Sequence, residues 1–388
     1  MEELTFVIDI KKSGDSCKKF DGVKKYIATA DIIDDEIVGY TEVTYDNKPS
    51  RANVVAKPGD VLFAKMQNTI KVIVVDEETC NYIYSTGFYC ISDERFLPKF
   101  LKCYFMSKTF NDKKDKNCNG ATMKALSDEG FKKIKLPLIP KEIQQRIIDE
   151  YIALSASIKN KKNQINVFDE LIKSQFIEMF GNPITNEKKY SVLKLKNISE
   201  KITNGNTPHG GDKNYVEKGI IFIRSQNVLR NKIDLSDVVY IDESTNNSIK
   251  DSMLKSGDIL ITKTGRINTE NSSLGRPAIF EGEDYSANLN GHVYLIRLND
   301  RFNKKFVLYT LLQDEYREYI RSVCVGGIDK RQINKNHVED FPILVAPRPL
   351  QDQFAAIVEQ IDKSKSILQK QIDFLQELLD SKMQEYFG

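Results

Sequence analysis

The sequence predicts an α+β protein in which two strand-rich globular domains are separated by two long helices. The helices pair as an antiparallel coiled coil, and the whole carries an internal pseudo-two-fold repeat. Three observations predict this. A helix-forming stretch of about forty residues occurs twice, from Pro140 to Gly181 and from Pro349 to Gly388. The ends of the two copies align without a gap: Phe168, Glu170, Leu171, Ser174, Glu178, Phe180 and Gly181 face Leu375, Glu377, Leu378, Ser381, Glu385, Phe387 and Gly388. Each copy follows a segment of short β-like runs broken by turn residues, and those segments repeat each other as well.

In chain order, residues 1–138 form the first domain. Strand signals run over Lys25–Ile32, Glu36–Thr44, Asp60–Lys65, Ile70–Val75 and Tyr82–Ile91, with Asn47-Lys48-Pro49 and Pro58-Gly59-Asp60 as turns. Phe100, Leu101, Tyr104 and Phe105 recur at helical spacing and predict a helix from Pro98 to about Phe110, followed by a polar loop over Asn111–Gly120.

Residues 139–181 form the first long helix. Pro140 suits its first turn, and Gly181-Asn182-Pro183 stops it. Its apolar seam runs through Ile143, Ile147, Tyr151, Leu154, Ile158, Ile165, Phe168, Ile172, Phe176 and Met179, with one gap at Lys161.

Residues 182–348 repeat the first domain at greater length. KSGDILITK (Lys255–Lys263) answers KPGDVLFAK (Lys57–Lys65), and FIRSQNV (Phe222–Val228) answers YIATADI (Tyr26–Ile32). GIDKRQIN (Gly327–Asn334) answers GATMKALS (Gly120–Ser127). Residues 349–388 form the second long helix, with a seam of Leu350, Phe354, Ile357, Ile361, Leu368, Ile372, Leu375 and Leu379 interrupted at Ser364. Either helix alone would expose a long apolar stripe, at ~25 cal/mol per Å². The natural cover for each is the other, and a chain that leaves one helix, makes a domain and returns must run antiparallel.

Composition narrows the function. A net charge of +2 argues against a generally basic nucleic-acid coat, although residues 182–348 hold a modest positive excess. The six cysteines are scattered, without a CxxC pair or a nearby histidine, so no metal site or disulfide framework is expected. The opening MEELTFVIDIKKSG lacks a leader pattern and no run approaches the ~20 apolar residues of a membrane span, so a cytoplasmic protein with no membrane partner is expected. There is no GxxxxGK[ST] loop, no methyltransferase cofactor loop or catalytic motif, and no HExxH or nucleophile elbow around His209, His292 or His337. Glu187 and Lys189 mimic a nuclease pair but lie in a polar linker. No catalytic residue is assigned, and the chain reads as a binding and spacing device.

The doubled module resembles the specificity subunits of Type I restriction-modification enzymes. The resemblance is carried by GD-[IV]-L in a strand-rich domain, then glycine followed by a K/R-x-[LI] element, then a proline and glutamine at a helix start, then a forty-residue helix. Pro140 with Gln144 and Pro349 with Gln353 are taken as the matching helix starts. Leu193–Val228, containing NGNTP, looks like the opening of a target-recognition domain; the first domain is shorter and lacks a clear counterpart.

The resemblance implies that each domain reads one half of a bipartite double-stranded DNA target. It implies that the helices set the spacing and dock two methyltransferase subunits, with up to two restriction subunits joining them. The chain needs no cofactor of its own, S-adenosylmethionine being bound by the methyltransferase. Arg–guanine and Asn or Gln–adenine pairs are the favoured base contacts. The candidate readers are therefore Lys65, Gln67, Asn68 and Lys124 in the first domain, and Arg224, Gln226, Asn227, Lys263, Arg266, Arg276, Lys330 and Arg331 in the second. Ile147, Leu154, Ile158, Ile165, Phe168 and Ile172 are expected to meet Phe354, Ile357, Ile361, Leu368, Ile372 and Leu375 in the helix pair. The rival reading is a two-headed protein-interaction scaffold without DNA binding.

Overall fold

The computed structural model describes residues 6–7, 12–121, 123–267, 269, 272–327 and 330–388. Parts of the repeated GATMKALS and GIDKRQIN stretches (Thr122, Ile328 and Asp329) and most of MEELTFVIDIKKSG lie outside them. Internal contacts divide the chain into one unit of Met1–Gln164 with Ile367–Gly388 and a second of Ile165–Ser366. The division passes through the long helices, so each unit contains part of both.

In the first unit a five-stranded sheet has the order Asp15–Ser16, Ala52–Val55, Ile83–Ser85, Lys24–Ile27, Thr41–Val43. Its one parallel pair sets Ile83 beside Tyr26 and Tyr84 beside Ile27. A three-stranded sheet places Val61–Ala64, buried throughout, between Phe88–Ile91 and Val72–Val74. The second unit repeats the plan with two four-stranded sheets. One is ordered Ser199–Asn204, Val293–Leu298, Ile259–Thr262, Pro277–Ile279. The other contains the matching parallel pair, Ile221 beside Ala287.

The GD turns are built alike. Gly59 and Gly257 adopt φ of 90° and 88°, and Asp60 and Asp258 each accept the N–H of the lysine three residues earlier, at 2.9 and 2.7 Å. The two aspartates differ in their other partner: Asp60 accepts a bond from the Cys90 thiol, Asp258 a two-point bond from Arg297 at 2.9 and 2.6 Å.

Two short helices follow the sheets in each unit. The first stops at Met106, and Ser107 caps a further helix over Lys108–Lys116 by accepting the Phe110 N–H. The polar loop expected over Asn111–Gly120 is therefore helical in its first half. Asn111 and Lys114 face inward there, Asn111 bonding the carbonyls of Phe105 and Ser107, so the polar composition reflects satisfied burial and not a solvated loop.

The long helices run over Lys141–Phe180 and Arg348–Phe387, forty residues each, with a constant offset of 207 residues, as between Gly181 and Gly388. This offset corrects the expected helix-start match. Gln144 corresponds to Gln351, not Gln353, and Pro140 to Pro347, not Pro349. Gln144 is fully buried, accepts the Leu97 N–H at 2.8 Å and donates to the carbonyls of Arg95 and Ile139 at 3.0 and 2.7 Å. Gln351, also buried, accepts the Asn303 N–H at 2.9 Å and donates to the Ala346 carbonyl at 2.8 Å. Gln353 is exposed.

In the first unit Tyr386 donates to Glu150 and Lys161 to Gln371, both at 2.7 Å. In the second, Lys365 donates to Asp169 at 2.5 Å, and Phe176 and Phe180 pack edge-on against Phe354. Within each unit the partner number falls as the first helix's number rises, which is antiparallel pairing. Ile147, Ile158, Ile172, Phe354, Ile361 and Ile372 are buried, and Leu154, Ile165, Phe168, Ile357, Leu368 and Leu375 half-buried. Ile143, which the periodicity places on the seam, is exposed.

Candidate nucleic-acid interface

Lys65 and Lys263 lie just beyond the strands that leave the GD turns. Their N–H groups bond Gly87 and His292 carbonyls at 2.9 and 2.8 Å, and their own carbonyls accept Leu126 and Ile333 N–H groups at 2.9 and 3.0 Å. Each ammonium stands over a buried tyrosine ring, Lys65 4.4 Å from the centroid of Tyr89 and Lys263 5.7 Å from that of Tyr294. Burial lowers the Lys65 pKa, and neighbouring Lys12 lowers it further.

Leu126 ends one short hairpin and Ile333 directly follows another. Cys118–Asn119 pairs with Ala125–Leu126, and Val325–Gly326 pairs with Arg331–Gln332, which also pairs with Thr264–Gly265. The turns require glycine: Gly120 and Gly326 have φ of 136° and 117°, and a Cβ would meet the Met123 or Lys330 carbonyl oxygen at 2.5 or 2.6 Å. The structural counterpart of Gly120 is therefore Gly326 and not Gly327, and the second hairpin is one residue longer. The hairpins present Lys124 in one unit and Lys330 and Arg331 in the other; Arg331 buries its Nε without a hydrogen-bond partner among the described residues.

In the second unit Arg266, Arg276 and Lys330 line one concavity with Thr264, Thr269 and Ser272. Arg276 is oriented by a bond from its Nε to the Ser272 carbonyl at 2.8 Å, and burial lowers its pKa, with Arg317 adding to the effect. Three cations around one hollow suit a phosphate or a guanine edge. In the first unit Gln67 and Asn68 are held by Asp115: its carbonyl accepts the Gln67 amide at 3.3 Å and its carboxylate the Asn68 N–H at 3.1 Å. Asn68 has φ 56°, and its side chain is exposed.

Arg224, Gln226 and Asn227 gather elsewhere, on Asp237. Arg224 Nη2 donates to the Asp237 carbonyl at 2.6 Å and reaches its carboxylate at 3.2 Å, and Gln226 donates to the same carboxylate at 2.7 Å. Asn227 is corrected as a reader. It is 2% exposed, its NH₂ bonds the carbonyls of Asp234 and Asp237, and its oxygen accepts the Arg224 N–H. Asp31 closes the matching turn of the first unit by accepting the Ala28 N–H at 2.8 Å. Asn227 is thus the lock of a repeated turn, with no edge left for a base. Among the described residues no group of three His, Cys, Asp or Glu side chains is placed to hold a metal, and no helix is long and apolar enough to cross a membrane.

The model of one protein family, the Type I restriction modification DNA specificity domain, matches residues 7–167 and again 187–377. The chain belongs to this family.

Within it, the type I restriction enzyme MjaIX specificity subunit of Methanocaldococcus jannaschii is 24% identical over 310 residues, 75% of this chain and 68% of that protein. The MjaVIII specificity subunit of the same organism is 24% identical over 209 residues, 50% of this chain and 48% of that protein. A sequence of that organism designated MjaX is 26% identical over 199 residues, 51% of this chain and 45% of its own length. The alignments thus span about half the length of the latter two. Among solved structures, one described under complex assembly and conformational transition of the type I R-M system shares the fold with a TM-score of 0.61 and 18% identity, covering 100% of this chain and 98% of its own. The Type-I restriction-modification system S subunit from M. genitalium gives 0.52 and 15%, covering 100% and 97%.

Two features that this specificity-domain fold repeats or contrasts lie outside the sequence motifs, Tyr89 with Tyr294 and the Arg297 partner of Asp258; Gln144 lies within them, matched there to Gln353 in place of Gln351. A signal for the tyrosines exists in the matched strands, GFYCI and HVYLI, where tyrosine precedes isoleucine by two.

Proposed function

We propose that this chain is the DNA-specificity subunit of a Type I restriction-modification complex, each domain reading one half of a bipartite duplex target and the helix pair setting the distance between the halves. The observation that carries this reading is the contrast inside the repeat. The two units share one frame of GD turn, lysine over tyrosine and glycine hairpin, yet differ in the polar side chains that frame presents. A fixed frame with variable tips is what reading two different half-sites requires.

The chain performs no catalysis. It directs two methyltransferase subunits, which bind S-adenosylmethionine, and recruits restriction subunits through the assembled complex in the cytoplasm. Equivalent apolar positions support two copies of one partner: Val167 and Phe374 are 66% and 64% exposed, and Leu171 and Leu378 are exposed too. Forty helical residues extend over about 60 Å, enough to act as a ruler.

Mapping methylated bases in the source genome tests the reading. The expected result is a split motif with a fixed unspecified spacer. Inserting four residues after Lys161, with a matching insertion after Lys370 beside it, should change the spacer and leave both half-sites alone. A continuous motif, or an unchanged spacer, overturns the proposal.

A further inference from the structure

Neither hairpin can hold its shape by its own ladder. Each pairs only two residues per strand, far short of what an independent two-stranded element needs. Among the described residues, Ala121, Met123 and Lys124 of one and Gly327 and Lys330 of the other are exposed, and both carry cationic side chains. Each is also tied at its edge, the first by the Met66–Ala125 bridge and the Gln67 N–H to the Lys124 carbonyl and the second by Thr264–Gly265, and beneath both lies the same residue type. Tyr294, 2% exposed, donates its hydroxyl proton to the Ile333 carbonyl at 3.1 Å. Tyr89, 4% exposed, reaches the Leu126 carbonyl at 3.3 Å and the Asp128 carboxylate at 2.6 Å, gripping the end of the hairpin and the residue that opens the next helical turn.

A buried tyrosine needs some hydrogen-bond partner, and any nearby carbonyl would serve a purely structural role. Here both phenols take the backbone of the one residue whose N–H is already bonded to the Lys65 or Lys263 carbonyl. That closes a ring in each unit: lysine backbone to hairpin, hairpin to phenol, and the phenol's aromatic face to the same lysine's ammonium. The ring recurs although its surroundings differ, with an acidic partner and a second lysine, Lys12, over the Tyr89 ring in the first unit.

We propose that Tyr89 and Tyr294 are positioning residues for half-site recognition, each fixing the height of its unit's hairpin and of the lysine beside it through the hydroxyl and the ring. The inference rests on the DNA-specificity reading above and adds to it which buried groups set the readers.

The test uses the full chain assembled with its methyltransferase partners. The probes are a duplex carrying the mapped bipartite site and two duplexes in which one half is scrambled. Tyr294→Phe should reduce discrimination against one scrambled half about fivefold to tenfold, the scale of one buried hydrogen bond, and leave the other half unchanged. Tyr89→Phe should do the reverse. The Ile333 amide should exchange faster in Tyr294→Phe while the melting temperature stays within a few degrees of wild type. Unchanged discrimination in folded variants, or equal loss at both halves, overturns the proposal. If Tyr294→Phe does not fold, Tyr89→Phe, with the longer carbonyl contact, decides it alone. A wild-type complex that discriminates neither half overturns the parent reading instead, so the two failures are distinct.

Discussion

Replacing Gln144 by alanine should be among the most damaging single changes in the first unit, and more damaging than the same change at Gln351. Gln144 is fully buried and satisfies three backbone groups: the Leu97 N–H and the carbonyls of Arg95 and Ile139. Each group stranded in the interior costs about 1–3 kcal/mol, and water admitted by the shortened side chain recovers part of it. A net loss of about 3–5 kcal/mol follows for Gln144→Ala and about 2–3 for Gln351→Ala, which strands only the Asn303 N–H and the Ala346 carbonyl. Gln144→Glu should recover little, because it keeps the acceptor for Leu97 but turns an anion toward two carbonyl oxygens. Urea unfolding gives the magnitudes, and hydrogen exchange at Leu97 and Asn303 assigns each to its unit. A Gln351→Ala loss equal to or larger than that of Gln144→Ala would refute the bond-counting argument.

Arg297→Met should destabilise the second unit by about 3–5 kcal/mol, because it leaves the Asp258 carboxylate, 2% exposed, without its two-point partner. Adding Asp258→Asn should recover part of that loss in the same unfolding assay, and no recovery would show that the arginine acts through packing. Lys65 gives opposite signs for stability and binding. Its native pKa is lowered by burial and Lys12, so between that value and the ordinary lysine value the unfolded chain holds a proton the native chain has released; stability rises with pH there while the cation offered to DNA is lost. DNA affinity titrated across alkaline pH should fall earlier than in Lys65→Arg, and identical profiles would remove Lys65 from the interface. Ile158→Asp places a carboxylate at a seam position 6% exposed and should cost more than the ~2–5 kcal/mol of a simple truncation, lowering the melting temperature and the recovery of methyltransferase subunits on co-purification. Wild-type values for both would show that the seam does not hold the pair.

The parts of the fold legible in the sequence are those set by local periodicity and by the repeat itself. The 3.6-residue seams and the glycine stop at Gly181, φ 74°, need no long-range information. The helix start is less legible, because Pro349-x-x-x-Gln353 reproduces the spacing of Pro140 and Gln144, although the constant offset of the helix ends points to Pro347 and Gln351. The interface was less legible, for a physical reason. Whether an asparagine faces a base or closes a turn depends on carbonyls brought to it by folding, and Asn227 takes Asp234 and Asp237, seven and ten residues on. The tyrosine anchors depend on partners 37 to 39 residues away, which no local pattern reveals. Arg266, Arg276 and Lys330 are legible as residue types, but their common concavity depends on the third strand that Thr264–Gly265 adds to the hairpin.

The duplication acts as an internal control that a single domain would lack. A residue type that keeps its place in both units, such as Gln144 with Gln351 at the helix start or Tyr89 with Tyr294 beneath the hairpin, answers a need of the frame. A position whose chemistry changes while its frame is kept is released from that need. At the strand end beside the hairpin, the first unit offers the amides Gln67 and Asn68, steadied by Asp115, and the second offers Arg266 beside Arg276. Amides match adenine and guanidinium groups match guanine in geometry. Under the proposed DNA-reading function, the same scaffold would turn toward different bases by exchanging side chains at its rim, while the buried bonds that aim the rim stay in place.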